Sequence, residues 1–208
     1  MKKIKLNNNL IKEEVIAILN RPSSFGSIKN ICHDLKNDRE VVLAAVEANA
    51  LNLNNIHKSF RKDRDIVLTA VCSSGIALSY ADKTLKKDKE IVMFAVKNDT
   101  SAFKHADKSL KNDKEFITEL LKFDSFGSIL EYTSSFIKKD KDVVLTAIKH
   151  TAYAFSSADI SLRKDKKFVI KALNDLQSTK QVYNIKFIKK YIHKSIRNDS
   201  EIIKLINK

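Results

Sequence analysis

The stretch FRKDRDIVLTAV, residues 60–71, returns along the chain with few changes. Twenty-five residues earlier the sequence is LKNDREVVLAAV (35–46), and twenty-five residues later it is LKKDKEIVMFAV (85–96). Counted from the aspartate of each phrase, the spacings along the chain are 25, 25, 25, 27, 25 and 34 residues. A sustained period in this range predicts a repeat array. The equivalent aspartates are Asp38, Asp63, Asp88, Asp113, Asp140, Asp165 and Asp199.

Each phrase has the pattern of a helix with one buried face. Its apolar residues stand 3, 4, 7 and 8 places after the aspartate, as in Ile66, Val67, Ala70 and Val71. At about 100° per residue these positions form one stripe along a helix. Aspartate is a favoured N-cap residue, and a second acid stands in the first turn of most phrases. We therefore expect each aspartate to be a structural helix cap.

A second apolar set follows 15, 18 and 22 places after the aspartate, as in Leu78, Ala81 and Leu85. This spacing predicts a second short helix, so that one repeat is a helical hairpin. The chain has only three glycines and one proline, which favours helices joined by short turns. The predicted fold is all-α: an α-solenoid of about seven 25-residue helical hairpins (an α-α superhelix), capped by a lone C-terminal helix.

The repeats predict one continuous domain over residues 1–208. Its repeats are 9–34 (degenerate), 35–59, 60–84, 85–109, 110–136, 137–161, 162–195 and the half-repeat cap 196–208. In the degenerate repeat Lys12 stands where the aspartate is expected, which predicts different capping there. The pentapeptide SFGSI occurs at 24–28 and at 125–129. Glycine at this place suits a helix C-cap, and we expect Phe25 and Phe126 to pack against the turn.

Charge is distributed unevenly along the repeats. The net charge is +14, which favours acidic partners: nucleic acid, anionic lipid or an acidic protein surface. Within the repeated phrases acids neutralise most of the lysines, which is typical of a solvated edge of mixed charge. Residues 166–208, by contrast, carry eleven bases and three acids. Most of the excess charge therefore lies in the last fifth of the chain.

The segment KQVYNIKFIKKYIHKSIR, residues 180–197, has six cations and no acid, and it falls in the one repeat extended to 34 residues. As a helix it has an isoleucine side formed by Ile185, Ile188, Ile192 and Ile196, with cations opposite and aromatic residues along one border. Cations beside aromatic residues suit single-stranded nucleic acid, and a basic amphipathic helix suits an anionic membrane surface. The alternative is a final hairpin with aromatic residues in the core and lysines in solvent. The candidate binding residues are Tyr183, Lys186, Phe187, Lys189, Lys190, Tyr191, Lys194 and Arg197.

The sequence has no recognisable catalytic motif. It lacks a glycine-rich phosphate loop and the HExxH and CxxC spacings, so we expect no metal and no cofactor. Cys32, His33 and Asp34 are consecutive, and neighbours on a helix point about 100° apart, so they cannot form a triad among themselves. The paired acids recur in nearly every repeat, as helix starts do. We therefore expect a protein that is not an enzyme.

Compartment is predicted from the cysteines and the first residues. Two cysteines without a pairing motif favour a reducing, cytoplasmic location. The basic start MKKIKLNNNL has no apolar run behind it and does not have the pattern of a secretory signal. No uninterrupted apolar run is longer than that at 41–46, which is too short to span a membrane.

The phrase with its aspartate, followed by ALSYAD (77–82), resembles the tandem repeats of "domain of unknown function 4116", whose pattern is close to LrnDkevVlaAv…aLeyAs. The resemblance covers residues 35–173 well and the flanks more loosely. It implies a helical-repeat scaffold with no catalytic residue to carry over. Because such repeats occur in bacterial effectors, it also implies an effector-like role, with delivery into a host cell. The leading hypothesis is a scaffold for protein–protein interaction, whose partner would be an acidic protein surface or peptide. The alternative is binding of nucleic acid or anionic lipid through 180–197.

Overall fold

A computed structural model describes residues 10–20, 28–31, 34–178 and 185–207. Throughout these residues the regular elements are α-helices and 3₁₀ helices, and there is no β-strand. The contacts divide the chain into two compact units, Met1–Asp107 and Lys108–Lys208. Each unit is built from tandem helical repeats, which confirms the predicted all-α, solenoid-type fold. The division of the chain into one domain stays a prediction.

Two kinds of helix alternate along the chain. The α-helices are α1 (Leu10–Leu19), α2 (Arg39–Ala48), α3 (Arg64–Ser73), α4 (Lys89–Asn98), α5 (Lys114–Leu120), α6 (Ser128–Tyr132), α7 (Lys141–His150), α8 (Ile160–Lys164), α9 (Lys166–Gln177), α10 (Ile185–Tyr191) and α11 (Ser200–Ile206). The 3₁₀ helices are Ile28–Asn30, Leu35–Asn37, Ala50–Asn54, Phe60–Lys62, Gly75–Tyr80, Leu85–Lys87, Thr100–His105, Leu110–Asn112, Leu121–Phe123, Ile137–Lys139 and Ala152–Ser157. None of the helices in this described part is long and apolar enough to cross a bilayer.

The first helix of a repeat begins at its aspartate. In α3, the side chain of Asp63 accepts hydrogen bonds from the backbone N–H groups of Asp65 (3.1 Å) and Ile66 (3.3 Å). These bonds satisfy N–H groups that the first turn of a helix leaves without partners. The stripe that begins at Ile66 is fully buried through Val71. Ile66 thus both donates its N–H to the cap and begins the buried stripe.

The second arm differs from the continuous helix that the spacing predicted. In the repeat of Asp63 it consists of two 3₁₀ helices, Gly75–Tyr80 and Leu85–Lys87. Gly75, Leu78 and Ala81 are three residues apart and all buried, and a 3₁₀ helix has three residues per turn. At Ala81 the chain becomes extended (φ −61°, ψ 153°), which separates the two pieces. Because these buried residues recur at every third position, they favour a 3₁₀ helix over an α-helix.

The junction between the arms packs against the next repeat. A Cβ atom on Gly75 would lie 2.3 Å from the carbonyl oxygen of Ala95, so only glycine fits there without a shift of the backbone. The N–H of Gly75 donates to Oδ1 of Asn98 (2.7 Å), and Nδ2 of Asn98 donates to the carbonyl of Cys72 (3.1 Å). The end of α4 is therefore fastened to the end of α3 by polar bonds beside the core.

The 27-residue repeat departs from the pattern at SFGSI. Its first helix, α5, is short, and the almost fully buried carboxylate of Asp124 caps α6 by accepting from the N–H groups of Ser128 (3.0 Å) and Ile129 (2.8 Å). Gly127 has φ 76° and is the N-cap residue of α6, so the predicted C-cap role was wrong. Phe126 is 78% exposed and does not pack against the turn. Phe25 lies outside the described residues.

The last repeat carries its extra residues between the arms. Its first helix, α9, is twelve residues long, and α10 stands where most of the other repeats have a 3₁₀ helix such as Gly75–Tyr80. The expected isoleucine side is present, since Ile185, Ile188 and Ile192 are buried and Ile196 is half-buried. On α11, Lys204 is exposed, while Leu205 and Ile206 are buried.

A backbone hydrogen bond joins the second arms of neighbouring repeats. The N–H of Asp82 donates to the carbonyl of Arg61 (2.9 Å), and the N–H of Asp159 donates to that of Lys138 (2.9 Å). In the last repeat the N–H of His193 donates to the carbonyl of Arg163 (3.0 Å). Despite its extra residues, the last repeat therefore makes the same bond as the other repeats, at His193. This bond places the turn that begins at His193 beside the end of α8.

Candidate functional site

The first cations of the repeats form a series of ion pairs with the next aspartate. In unit 1, Arg39 Nε lies 2.7 Å from Asp63 and Arg64 Nε lies 3.2 Å from Asp88. Lys12 joins this series by contacting Asp38 (2.9 Å). It therefore acts as a bridging cation at the position where the other repeats have their capping aspartate.

Unit 2 repeats this arrangement. The pairs are Lys114–Asp140 (2.8 Å), Lys141–Asp165 (2.7 Å) and Lys166–Asp199 (2.9 Å). The bond from Lys166 holds the pKa of Asp199 below its usual value. The aspartates predicted as helix caps are thus engaged twice, by the backbone of their own helix and by a cation of the preceding repeat. Asp113, the remaining member, accepts from the N–H of Phe116 (2.9 Å).

A second set of cations binds carbonyl groups at the ends of the arms. Arg61 donates to the carbonyl of Asn54 (2.7 Å), Lys86 to that of Ser79 (2.7 Å) and Lys138 to that of Glu131 (2.7 Å). Helix ends leave such carbonyls without intrahelical partners, and a cation beside them is favourable. These basic residues therefore have a structural role in holding the turn.

Five of the second arms also have a capping residue that sequence reasoning missed. We call it the turn-cap residue: Asp82 accepts from the N–H of Thr84 (3.0 Å), and Asp159 accepts from that of Ser161 (2.9 Å). The signal was an Asp or His two residues before Ser or Thr, which recurs as HKS, DKT, DKS, DIS and HKS. The set comprises His57, Asp82, Asp107, Asp159 and His193.

The turn-cap aspartates neutralise the cations around them. The pKa of Asp82 is lowered first by its bond from Thr84 and further by Lys62 and Lys83. The pKa of Asp159 is lowered first by Ser161 and further by Lys139 and Arg163. At these turns the repeat thus supplies both the cations and their counter-charge.

The turn of His193 has no such counter-charge. Nδ1 of His193 accepts from the N–H of Ser195 (3.2 Å), so the imidazole caps the turn as the carboxylates do. Its pKa is lowered first by desolvation and then by Lys164, Lys194, Arg163 and Arg197. A neutral imidazole therefore replaces a carboxylate among cations.

A cleft of about 270 Å³ opens at this turn. It is lined by Ile160, Arg163, Lys190, His193, Lys194 and Arg197, together with Tyr191 and Ile192. No acidic residue belongs to this lining. Arg197 donates to the carbonyls of Lys190 (3.1 Å) and Ile192 (2.8 Å), which fixes its guanidinium at the rim of the cleft.

The predicted lysines of α10 and of the turn after it are exposed. Lys186, Lys189, Lys190 and Lys194 face solvent, and none is paired with a carboxylate among the residues that the structure describes. Lys190 and Lys194 line the cleft, whereas Lys186 and Lys189 lie on α10 outside it. Tyr183 lies outside the described residues.

The predicted aromatic border is a packed cluster. The rings of Phe187 and Tyr153 meet edge to face with centroids 4.7 Å apart, and those of Phe187 and Tyr191 are also 4.7 Å apart. Phe187 and Tyr191 are half-buried. These contacts attach α10 to the preceding repeat and occupy ring surfaces that stacked bases would need.

The comparisons with known proteins concern the repeats. The sequence model described as Domain of unknown function (DUF4116) matches six overlapping segments, 15–61, 38–86, 63–111, 88–138, 113–162 and 140–191. The chain belongs to this family. No curated protein and no solved structure matches it.

The DUF4116 matches show which parts of the chain the family model covers. Five of the six begin at a first-helix aspartate, so one DUF4116 unit spans about two successive repeats of this chain. The last match ends at Tyr191. His193, Lys194 and Arg197 therefore lie beyond the matched segments, while Arg163 and Lys190 lie inside the last one.

Of the consecutive residues Cys32, His33 and Asp34, the first two lie outside the described residues.

Proposed function

We propose that this protein is a non-enzymatic helical-repeat scaffold that binds an acidic protein surface through α10 and the turn after it. One observation carries the proposal. The described cations of the repeated phrases are largely engaged with carboxylates or carbonyls of the chain, whereas Lys186, Lys189, Lys190 and Lys194 are exposed without a carboxylate partner in the described structure. Acidic groups from a partner supply the complementary charge.

The absence of catalysis is part of the same proposal. The polar residues that recur from repeat to repeat have bonding roles that account for them: the first-helix aspartates cap and pair, and the turn-cap aspartates hold the second arm. Residues with these roles are needed in every repeat. A catalytic group would be needed only once.

An acidic protein suits this surface better than nucleic acid or lipid. Single-stranded nucleic acid binds through bases stacked on free aromatic faces, and here Phe187 contacts both Tyr153 and Tyr191. A membrane-surface helix inserts its apolar side, and here Ile185 and Ile188 are buried within the fold. What α10 presents to a partner is its row of lysines.

Fluorescence anisotropy of a labelled oligoglutamate peptide with the full chain tests the proposal. The double variant Lys186→Glu/Lys189→Glu reverses two α10 charges outside the cleft, and we expect binding at least about tenfold weaker. Its matched control, Lys58→Glu/Lys83→Glu, reverses two exposed lysines of unit 1 and should keep the affinity. Binding should weaken as salt is added.

Three results would count against the proposal. Failure of the peptide to bind at low salt contradicts it, as does equal binding by the two double variants. Tighter binding of oligouridylate, or of vesicles containing phosphatidylserine, selects nucleic acid or lipid as the partner instead.

A further inference from the structure

The cleft at His193 differs in charge from the equivalent turn one repeat earlier. At the earlier turn, the carboxylate of Asp159 faces Lys139 and Arg163. At the later turn, His193 holds the same capping bond and supplies no negative charge. Arg163 faces Asp159 on one side and lines the cleft on the other. The last repeat thus keeps the cations of the turn but lacks the turn-cap carboxylate that faces them in the preceding repeat.

The cations at the cleft are also more numerous than at the other histidine turn. His57 accepts from the N–H of Ser59 as His193 does from Ser195, and Lys58 corresponds to Lys194. In the register of the repeat, however, Asn37 and Asn54 stand where the last repeat has Lys164 and Lys190. The His193 turn therefore combines the loss of the acid with a gain of two cations.

The donors in the cleft suit a doubly charged oxyanion. Nε of Arg163 is buried and Nη1 makes a long contact to the carbonyl of Tyr191 (3.5 Å), so its Nη groups are the donors that a ligand in the cleft would meet. Because Nδ1 of His193 accepts a bond, its neutral ring carries the proton on Nε2, which is a donor. Guanidinium groups bind phosphate oxygens in pairs, and a phosphate monoester carries a charge of about −1.5 to −2 near neutral pH. A single carboxylate would leave more of the positive charge uncompensated.

We propose that the cleft formed by Arg163, Lys190, His193, Lys194 and Arg197 binds a phosphate monoester on an acidic polypeptide. This inference rests on the proposed function, since the polypeptide is the acidic partner. The phosphate supplies the negative charge that a turn-cap carboxylate supplies in the neighbouring repeat, while His193 keeps the capping bond. Ile160, which is 49% exposed at the edge of the cleft, offers an apolar contact to the residue beside the phosphorylated one.

The test compares three forms of one labelled acidic peptide, with phosphoserine, glutamate or serine at its central position, in anisotropy titrations of the full chain. We expect the phosphoserine form to bind at least about tenfold more tightly than the glutamate form. Inorganic phosphate should compete with the phosphoserine form. Equal affinity of the phosphoserine and glutamate forms would overturn the inference.

The decisive variant is His193→Asp, which gives the cleft the carboxylate found at Asp82 and Asp159. Because aspartate caps this turn in other repeats, the variant should fold, as circular dichroism will show. It should lose the preference for the phosphoserine peptide and keep its affinity for oligoglutamate through Lys186 and Lys189. The matched control His57→Asp should change neither.

The results separate this inference from the proposed function. If oligoglutamate binds but His193→Asp leaves the phosphoserine preference intact, the cleft assignment is wrong and the scaffold proposal stands. If no peptide binds, both are wrong. Tighter binding of phosphoinositide vesicles or of oligouridylate than of the phosphoserine peptide would overturn the assignment to a polypeptide.

Discussion

The turns that begin at Asp159 and at His193 occupy equivalent places in two successive repeats of unit 2. Both donate their backbone N–H to a carbonyl of the preceding arm, and both accept a hydrogen bond from the N–H two residues later. The first turn provides a carboxylate for its cations, and the second does not. The comparison shows that the backbone of a repeat can be preserved while one turn loses the carboxylate that neutralises its cations.

The largest expected effect comes from the residue before each turn. Ile192 is fully buried, whereas Ala158 fills the same place before Asp159. We expect Ile192→Ala to reduce the free energy of unfolding by about 2–5 kcal/mol, because it removes buried methyl groups and leaves a cavity. Urea denaturation measures this. Ile160→Ala, at an exposed side chain, should change it by no more than about 0.5 kcal/mol, and equal losses would show that the second turn is not anchored by its isoleucine.

A smaller effect distinguishes the two capping groups. Asp159→Ala removes both a cap and the charge that faces Lys139 and Arg163, so we expect a loss of stability of the kind seen when a helix N-cap is deleted. Asp159→Asn keeps an acceptor for the cap and should lose less. His193→Ala removes a cap without a charge, and thermal unfolding should show a smaller loss than for Asp159→Ala. A larger loss for His193→Ala would contradict the charge difference between the turns.

The smallest effect is the response of the two turns to pH. His193 has a lowered pKa when folded, so the unfolded chain binds its proton first, and stability falls as the pH drops below about 6.5. The lowered pKa of Asp159 stabilises the fold above its unfolded pKa of about 4, and that contribution is lost below it. His193→Gln should therefore flatten the stability profile near pH 6 only. An NMR titration that gives His193 an ordinary histidine pKa in the folded protein would contradict the predicted loss of stability near pH 6.

The first helices could be predicted from sequence because their signals are local. The aspartate, the second acid and the apolar stripe all act within eleven consecutive residues, and the structure has helices at those places with Ile66, Val67 and Ala70 buried. The type of the second arm could not be predicted as well. The spacing of Leu78, Ala81 and Leu85 fits an α-helical face, but the close packing of Gly75 against Ala95 and the buried period of three favour 3₁₀ helices.

The candidate site was only partly visible in the sequence. The excess of lysine between 180 and 197 is a property of composition, and Lys190, Lys194 and Arg197 belong to the cleft. Arg163 and His193 were missed because thirty residues separate them and a backbone bond between repeats brings them together. Phe187 and Tyr191 were predicted at a binding border. The structure places them in a packed cluster with Tyr153.

Periodicity and capping chemistry, which are written in consecutive residues, were enough to define the repeat, its helical class and the place where its regularity breaks. The tertiary fold determined which cations keep an internal counter-charge. That outcome depends on which side chains of neighbouring repeats come within a few ångströms of each other, and Coulomb interactions decide it over those short distances. The same type of side chain is therefore a structural bridge beside Asp140 or Asp165 and lines a cleft without a carboxylate at His193.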